Sequence, residues 1–502
     1  MHELNPEQTP LEAAQNTTPE TADVEICAII AAASEQSDDV TEILATLEKR
    51  INVAHYHLLV VERQIRSHRE LKRAGPAEAL ALDVMRERFA YGTTLMRTAD
   101  GQLIFYAGTH WTPISDVALR AILRPLALKS PDRYGPSAQS VSAALSMIRD
   151  LAPAADEMMR AKPQPVVNVQ NAELWIEPGG GLSRRVHRLH DGLQHVLPVA
   201  YDPEATCPEF DKMIHEVFGA AKDPKDMVRH LSELLGYALQ PVRDIPVIAF
   251  LWGGGANGKS TILSILQAVI GQDQVYAGSL SALTNDKFTL PNLLGKLLIV
   301  EDDAKDGERL NDGQLKKIAE NKLINTRRVR STHGLTFRSM AMPLIAINGA
   351  PTLDDTSHGI SRRLQVIPFE RRFTKAEINP QLATQIIETE LPGVLNWMLN
   401  GLCALRARGA FDPPAECEVA KARFLCASNP LHAFIDERCD LVADGRTSIA
   451  DVWMGFISWC KAQGQRIPFS KRSLRDRLNA LGFVVRKSNV MVVDGLALRA
   501  GE

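Results

Sequence analysis

The spacing of apolar residues divides the first 75 residues into two parts. Residues 1–23, rich in Pro, Thr, Glu and Asn, are predicted to be a disordered tail. Over residues 40–65 the apolar positions alternate at steps of four and three, and no proline lies between Pro19 and Pro76. This spacing predicts a long helix within residues 24–75, either in a coiled coil or as an amphipathic helix in a bundle.

Four further segments follow from the same kind of pattern. Residues 76–200 alternate short apolar runs with turns, which indicates a small mixed α/β or β-rich region. Residues 201–245 have apolar positions at helical spacing and are predicted to be a helical domain. Residues 246–412 combine continuous apolar runs of strand length with helical periodicity, as in α/β proteins with buried parallel strands. Two consecutive prolines then separate a C-terminal domain at residues 413–502.

The clearest chemical signal is a glycine-rich segment between a predicted strand and a predicted helix. Residues 247–252 are a continuous apolar run, and helical periodicity begins at Ser260. The intervening Gly-x4-Gly-Lys-Ser sequence is typical of a phosphate-binding loop, in which backbone N–H groups and a helix N-terminus face the phosphates. Lys259 is expected to contact the β- and γ-phosphates of ATP, and Ser260 to bind Mg²⁺. The predicted nucleotide contacts are Gly253, Gly254, Gly255, Ala256, Asn257, Gly258, Lys259, Ser260 and Thr261.

Two other apolar runs end in polar residues suited to nucleotide hydrolysis. One leads into Glu301 and Asp302, which are the candidates for holding Mg²⁺ and orienting water, with Asp303 as a less favoured third. The other leads into Asn348, whose amide is expected to reach both the γ-phosphate and the attacking water. Acidic residues that merely end a strand in solvent are the alternative, which the neighbouring phosphate-binding loop disfavours.

An arginine pair, Arg362 and Arg363, precedes a further apolar run at residues 364–369. Such a pair is either a surface feature or the source of an arginine finger. A finger stabilises charge on the transferring phosphoryl group of ATP bound to a neighbouring subunit.

Composition and charge place the chain among soluble multidomain proteins. It has 502 residues, 45% hydrophobic and 23% charged, with a net charge of -3. Its seven scattered cysteines fit a reducing compartment and exclude a zinc knuckle, and a metal site at His187, His190 and His195 is disfavoured. We expect a cytoplasmic protein, because the sequence shows neither a signal peptide nor an apolar run long enough for a membrane. Residues 461–487 carry eight basic residues against one acidic residue, which suggests a nucleic-acid contact there.

The ordered set of motifs resembles superfamily 3 helicases, specifically the phage and plasmid primase–helicase family that includes satellite-phage and poxvirus replication proteins. The resemblance rests on Gly253–Ser260, Val300–Asp302, Lys316, Ile347-Asn348, Arg362-Arg363 and Pro368-Phe369. Residues 201–208, 235–237 and 390–397 also match segments that flank the ATPase in that family. The likeness extends over about residues 165–502.

This resemblance implies an AAA+-like core, a homo-hexameric ring, ATP at the subunit interfaces and DNA in the central channel. It places a DNA-gripping hairpin at residues 327–337, with Arg328, Arg330 and His333 as DNA-binding candidates and the last two at its tip. A plain surface hairpin is the alternative. The resemblance also implies that Arg363 is a finger acting in trans, with Arg362 as the alternate.

The sequence departs from the family pattern in two ways. After Lys316 the family usually has Gly-Gly-Asp, whereas this chain has Glu, Asn and Lys at residues 320–322, so the local turn and its contacts stay open. The residues before 165 show neither a zinc ribbon nor the spaced acidic pair of a primase. We therefore expect a helicase portion without a primase domain, with a primase or replication-origin protein as a partner in trans.

The C-terminal residues are predicted to form a winged helix. Ser448 is placed to cap one helix, a second helix spans residues 470–481, and a hairpin follows over residues 483–493. The DNA-binding candidates here are Lys471, Arg472, Arg475, Arg477 and Lys487. A protein–protein module with a solvated basic face is the alternative.

Together these features predict an ATP-dependent DNA helicase of phage or mobile-element replication, which binds single-stranded and duplex DNA. The alternative is a non-unwinding AAA+ ATPase that binds an origin or loads a helicase. A DNA-binding regulator with an inactive nucleotide site is disfavoured, because the catalytic candidates are all present: Lys259, Ser260, Glu301, Asn348 and Arg363.

Overall fold

The computed structural model describes residues 9–16, 29–30, 32, 40–51, 75–135, 137–304, 309–329, 334–353, 358–463, 467, 469–487 and 490–499. Before residue 75, helix α1 spans Pro10–Asn16 and helix α2 spans Val40–Ile51, and the two pack together. Their buried residues include Ala13, Ala14, Ile43, Leu44 and Leu47. The long helix predicted within residues 24–75 is thus helical over residues 40–51, and its predicted continuation to residue 65 lies outside the described residues.

Helix α1 corrects the disordered tail predicted for residues 1–23. The Thr9 Oγ1 accepts a hydrogen bond from the Glu12 N–H at 3.3 Å, and the Glu12 Oε2 accepts one from the Thr9 N–H at 3.0 Å. This reciprocal pair is a capping box, which satisfies N–H groups that a helix end leaves without intrahelical partners. The disorder prediction is therefore wrong for residues 10–16.

Residues 75–160, here called the N-terminal unit, combine helices with a small sheet. The elements are α3 Pro76–Arg88, β1 Leu95–Arg97, β2 Leu103–Tyr106, β3 Trp111–Ile114, α4 Asp116–Lys129, α5 Pro131–Tyr134, α6 Ala138–Leu151 and α7 Asp156–Arg160. The three strands are antiparallel in the order β1-β2-β3. Aliphatic side chains of α3, α4 and α6 form a core of their own, separate from that of the central sheet.

A second small sheet and two helices follow the N-terminal unit. They are β4 Val166–Val169, β5 Ala172–Ile176, β6 Leu182–Arg185, α8 Pro208–Val217 and α9 Pro224–Ala238. The three strands are antiparallel in the order β4-β5-β6. Buried residues of these elements join one core with the central sheet, so the helical pair predicted at residues 201–245 packs directly on the α/β core.

Residues 246–427 contain the central sheet and its covering helices. The helices are α10 Lys259–Ile270, α11 Leu280–Asn285, α12 Asp312–Ile318, α13 His358–Ser361, α14 Leu382–Thr389, α15 Leu391–Arg408 and α16 Ala415–Ala427. The strands are β7 Ile248–Trp252, β8 Val275–Ala277, β9 Leu298–Ala304, β10 Arg309–Leu310, β11 Leu323–Thr326, β12 Leu335–Arg338, β13 Met342–Ile347, β14 Thr352–Leu353 and β15 Leu364–Pro368.

Five of these strands form a parallel sheet in the order β15-β7-β13-β9-β8. Helices cover both faces of this sheet, which explains why its strands are continuous apolar runs rather than alternating ones. The predicted α/β core is confirmed. Between β9 and β13 the chain adds α12 and an antiparallel hairpin of β11 and β12, here called the hairpin.

Alternate residues of the sheet point to two separate cores. On the first face, Leu251, Val300 and Leu344 pack in the core that includes α9, α10 and α15. On the second face, Phe250 and Ile299 pack in the core that includes α11, α12, the hairpin and α16. The ring of Phe424 in α16 lies 4.7 Å from that of Phe250. Helix α16 therefore belongs with the central sheet, one helix beyond the division predicted at residue 413.

Helices α9 and α15 approach closely because glycines lie where they touch. A Cβ on Gly236 would lie 2.2 Å from the Met398 carbonyl oxygen, and one on Gly401 would lie 2.3 Å from the Ser232 carbonyl oxygen. Larger residues would force the helices apart, so these glycines allow α9 to pack directly against α15. Within the described part of the chain, no helix has both the length and the apolar character needed to cross a bilayer.

The C-terminal residues form a separate unit with its own core. Its elements are α17 Pro430–Arg438, β16 Cys439–Ser448, α18 Ile449–Ala462, α19 Lys471–Ala480, β17 Val485–Lys487 and β18 Met491–Leu498. The strands are antiparallel in the order β16-β18-β17. Ser448 caps α18, since its Oγ accepts a hydrogen bond from the Asp451 N–H at 3.0 Å. The sequence predicted the two helices and the hairpin but missed strand β16.

Candidate nucleotide-binding site

The glycine-rich segment is a tight loop between β7 and α10, at the carboxyl end of the central sheet. Strand β7 lies between β15 and β13, where the strand order changes direction, and open α/β sheets bind ligands at such points. Ala256 has φ 58° and Gly258 has φ 90°, so both adopt the left-handed conformation. Gly254, Gly255 and Ala256 are exposed. The loop backbone is therefore open to an anion such as a phosphate.

Two loop positions leave no space for a side chain. A Cβ on Gly253 would lie 2.2 Å from the Phe369 carbonyl oxygen, and one on Gly258 would lie 2.9 Å from Val217 Cγ2. The Asn257 Nδ2 donates to the Phe369 carbonyl at 3.1 Å, which holds the loop against the end of β15. The loop's shape thus depends on residues that are distant in the sequence, and the motif alone does not identify them.

Lys259 begins α10 and is only 6% exposed. Its Nζ donates to the Gly253 carbonyl oxygen at 2.5 Å, to Asn257 Oδ1 at 3.0 Å and to Asn348 Oδ1 at 3.3 Å. The structure therefore brings Lys259 and Asn348 together, as the adjacency of β7 and β13 requires. These oxygens hold the ammonium group at the mouth of the loop, where a bound phosphate would be in reach.

Ser260 and Asp302 form the pair of oxygen donors beside the loop. The Ser260 Oγ donates to Asp302 Oδ1 at 3.1 Å, and both residues are exposed. Hydroxyl and carboxylate oxygens are the ligands that Mg²⁺ prefers, and Mg²⁺ usually needs only one or two of them beside phosphates and water. The donor set therefore fits Mg²⁺. Thr261 follows Ser260 in the first turn of α10 and is half-buried.

Glu301 and Asp302 diverge, although they are consecutive. Residues in a strand alternate between faces, and the Glu301 Oε2 accepts a hydrogen bond from the Leu280 N–H at 2.8 Å, at the start of α11 on the second face. Strand β9 also has a bulge, since Glu301 lies opposite Ile345 while Ala304 lies opposite Ile347. Bulges change the direction of side chains next to active sites. The structure thus brings Asp302, but not Glu301, to Ser260.

Arg363, the first candidate for the finger, is buried and paired with a carboxylate. It is 5% exposed, and its guanidinium donates to Glu320 at 2.8 Å from Nε, with further bonds to Glu320 and to the Gly359 carbonyl oxygen. Burial raises the pKa of Glu320, but hydrogen bonds from Lys322 and Arg363 outweigh burial and hold that pKa below its usual value. Arg363 is therefore a buried ion-pair partner of Glu320 in the same chain. Arg362, the alternate, is exposed.

The unusual residues 320–322 form a well-bonded turn between α12 and the hairpin. Asn321 has φ 47°, a left-handed conformation that Asn adopts more readily than most residues. Its Nδ2 donates to the Pro241 carbonyl at 3.2 Å and to the Ser339 carbonyl at 2.5 Å. Asn321 thus forms the left-handed position of this turn, and Glu320 pairs with Arg363. Lys316 lies on α12 and is half-buried.

The hairpin carries part of the predicted DNA-binding set. Arg330 and His333 lie outside the described residues. Arg328 is engaged by the N-terminal unit through Asp100. Sequence reasoning missed a neighbouring feature: the exposed ring of Phe288 lies 5.5 Å from the guanidinium carbon of Arg327. An exposed aromatic ring beside cations is typical of single-stranded nucleic-acid surfaces.

The basic residues of the C-terminal unit do not share one environment. Lys471, Arg472 and Arg475 are exposed on α19, and Lys487 is exposed on β17. The guanidinium of Arg477 instead lies 4.4 Å above the ring of Phe469. Sequence spacing placed Arg477 with the others because spacing does not reveal this stacking. The exposed cations are therefore the ones that a phosphate backbone could reach.

A cavity of about 480 Å³ lies away from the phosphate loop. Residues 153–164 and 189–195 contribute much of its wall, and no residue of the loop does. His195 lines it, and burial, then His110 and Arg243, lower the pKa of this histidine to about 3. No group of metal-ligating side chains occurs among the described residues, including those near His187 and His190.

Comparisons with known proteins match parts of the chain. Residues 251–363, from the phosphate loop to Arg363, match a family described as "Family of unknown function (DUF5906)". The chain is 28% identical over 158 residues to "Putative helicase L207/L206" of Acanthamoeba polyphaga mimivirus. That match covers 30% of this chain and 16% of the relative. The chain is therefore helicase-like in sequence over part of its length.

Two solved structures are also similar. An A-form apo structure of the NrS-1 C-terminal region has 12% identity and a TM-score of 0.42, over 80% of this chain and 95% of that one. Another apo structure of the same region has 13% identity and a TM-score of 0.42, over 83% of this chain and 99% of that one.

Proposed function

We propose that this chain is an ATP-driven DNA helicase of phage or mobile-element replication, of the superfamily 3 type, that works as a homo-hexameric ring. The observation that carries the proposal is the convergence of Lys259, Asn348, Ser260 and Asp302 at the carboxyl end of a parallel sheet. The sequence similarity to a mimivirus protein named as a helicase supports the motor function.

The nucleotide chemistry follows from these side chains. The phosphates of ATP lie in the loop, where backbone N–H groups and the N-terminus of α10 face them. Lys259 leaves its carbonyl partners for the β- and γ-phosphates, and Asn348 orients the attacking water next to the γ-phosphate. Ser260 and Asp302 hold Mg²⁺, which neutralises charge on the phosphate oxygens when bound.

The finger is assigned to Arg362 rather than to Arg363. An arginine finger must reach ATP on a neighbouring subunit, and Arg362 is exposed while Arg363 is buried against Glu320. A guanidinium there stabilises the charge that develops on the γ-phosphoryl oxygens. The ring is thus needed for turnover, because each site is completed by the next subunit.

DNA contact is divided between two surfaces. The hairpin, with Phe288 beside Arg327, contacts single-stranded DNA through cations and ring stacking, and Arg330 and His333 remain the DNA-binding candidates from the sequence. The C-terminal unit is a winged helix that contacts duplex DNA through Lys471, Arg472 and Arg475.

ATP turnover with and without oligothymidine tests this proposal. We expect oligothymidine to increase turnover in the wild-type protein, and Lys259→Ala to lose turnover by about 10²-fold or more, since it removes charge stabilisation of the transferring group. Lys225→Ala, at an exposed lysine on α9, is the control and should behave as wild type. Turnover that DNA leaves unchanged would contradict the proposed motor. Turnover retained by Lys259→Ala would mean that the loop is not catalytic.

A further inference from the structure

Arg328, just after the first hairpin strand, is bound by the N-terminal unit. Its Nε donates to Asp100 Oδ2, and its Nη2 donates to Gln102 Oε1 at 2.8 Å. These partners lie 228 and 226 residues away along the chain, at the turn between β1 and β2. The N-terminal unit therefore contacts the element proposed to bind single-stranded DNA.

The turn that receives Arg328 is preorganised. The Thr98 Oγ1 donates to Asp100 Oδ1 at 2.5 Å, the Thr98 N–H donates to the Gln102 carbonyl at 2.8 Å, and Gly101 is left-handed with φ 84°. The Asp100 side chain is 1% exposed. Burial raises the pKa of Asp100, but hydrogen bonds from Thr98 and Arg328 outweigh burial and keep it below the usual value. Removing the cation beside a carboxylate with so little access to water is destabilising, which favours the contact.

The second hairpin strand is attached to the same unit. Arg338, the last residue of β12, donates from Nε to the Arg160 carbonyl at 2.8 Å, at the end of α7. Backbone hydrogen bonds join β1 to the segment before α7: the Arg97 N–H donates to the Pro153 carbonyl at 2.6 Å, and the Ala155 N–H to the Arg97 carbonyl at 2.8 Å. The two attachment points thus belong to one connected framework.

We propose that the N-terminal unit is a brace that fixes both strands of the hairpin, and that Arg328 is a positioning residue rather than a DNA contact. The consequence for DNA rests on the proposed helicase function, whereas the brace itself does not. The Arg328 guanidinium donates to Asp100 and Gln102. If the guanidinium bound a DNA phosphate instead, the Asp100 carboxylate would lose its cation. Residues 75–160 thereby acquire a role in setting the position of the hairpin strands.

Hydrogen exchange of the full chain tests the brace without DNA. The variants are Asp100→Asn, Arg328→Gln and their combination, with Asp150→Asn, at an exposed aspartate of α6, as the control. We expect amide exchange in β11 and β12 to be about tenfold faster in either single variant, as for the loss of a hydrogen bond to a charged group. The double variant should be no faster than the singles, because the two residues act as one unit. Exchange in β7 and β13 should not change, which excludes general unfolding.

If amides of the hairpin exchange at the wild-type rate in Asp100→Asn, the proposed brace is wrong. Binding to labelled oligothymidine at several salt concentrations gives the second readout. The brace predicts that Arg328→Gln keeps the wild-type salt slope. A slope reduced by about 0.7 for Arg328→Gln alone would make Arg328 a phosphate contact and overturn the proposal. If the wild-type protein binds no DNA, the proposed function fails, and hydrogen exchange still decides the brace.

Discussion

At the scale of single residues, the consecutive carboxylates Glu301 and Asp302 lie in different surroundings, which the sequence did not reveal. Asp302 accepts a hydrogen bond from Ser260, while Glu301 accepts one from the Leu280 N–H on the opposite face of the sheet. Consecutive side chains of any strand point to opposite faces, so the two carboxylates diverge. The bulge in β9 changes their directions further. We therefore assign the magnesium side of the site to Asp302 and the support of α11 to Glu301.

This assignment predicts different kinetics for two matched amide substitutions. Asp302→Asn removes a carboxylate from the proposed magnesium ligands, so the Mg²⁺ concentration for half-maximal ATP turnover should rise about tenfold or more. Glu301→Gln should leave that concentration unchanged, since its carboxylate bonds the Leu280 N–H. Turnover measured across a magnesium titration distinguishes the two variants. A shift in Glu301→Gln with none in Asp302→Asn would reverse the assignment.

Distance along the chain decided which residue pairs could be predicted. The phosphate loop is local, so its strand, glycines and helix identify one another within about 25 residues. The partner of Arg363 is Glu320, 43 residues earlier, and the partner of Arg328 is Asp100, 228 residues earlier. Nothing in the periodicity of either segment indicates such pairing. Both arginines were therefore predicted as functional cations, and the structure pairs both with carboxylates of the same chain.

At the scale of elements, local signals found most of the helices and strands near the proposed sites. The C-terminal helices were predicted because Ser448 provides a cap and the apolar spacing is regular. Helix α1 was missed, although its Thr-x-x-Glu capping box is just as local, because the composition of residues 1–23 was weighted above it. Helix α16 was assigned to the C-terminal domain because its packing of Phe424 on Phe250 is a long-range pairing, which no local pattern indicates.

Helix α19 gives a test of the winged-helix proposal. Arg472→Ala with Arg475→Ala should weaken binding to duplex DNA and reduce its salt slope by about 0.9 for each phosphate that the variant no longer binds. DNA-free ATP turnover should stay unchanged, because the C-terminal unit has a core separate from that of the central sheet. Arg120→Ala, at an exposed arginine of α4, is the control.

Fluorescence anisotropy with a labelled duplex measures both affinity and slope. Arg477→Ala should behave differently from the Arg472 and Arg475 double variant, because the Arg477 guanidinium stacks on Phe469. It should lower the free energy of unfolding and have little effect on the salt slope of DNA binding. An unchanged slope and affinity in the Arg472 and Arg475 double variant would contradict the winged-helix proposal. That surface would then be assigned to contact with a protein.

At the scale of the whole molecule, the proposed ring predicts how Arg362 and Arg363 differ. Arg362→Ala should lose turnover, and mixing it with Lys259→Ala should restore part of it, because a mixed interface joins an intact loop to an intact finger. Arg363→Ala should instead lower the free energy of unfolding by about 1–3 kcal/mol, because Glu320 loses a buried partner. Turnover of the mixtures and thermal unfolding of each variant measure these effects. A mixture of Arg362→Ala and Lys259→Ala that stays inactive would assign Arg362 to its own subunit.

Strand displacement on a forked DNA duplex is the measurement that tests the central claim most directly. An ATP-driven helicase should release the labelled strand in the presence of ATP and Mg²⁺. It should release none with a non-hydrolysable ATP analogue, and Lys259→Ala should release none with ATP. This result would join the phosphate loop to movement along DNA. DNA-stimulated ATP turnover without strand release would contradict the account and would favour a non-unwinding AAA+ ATPase that binds an origin or loads a helicase.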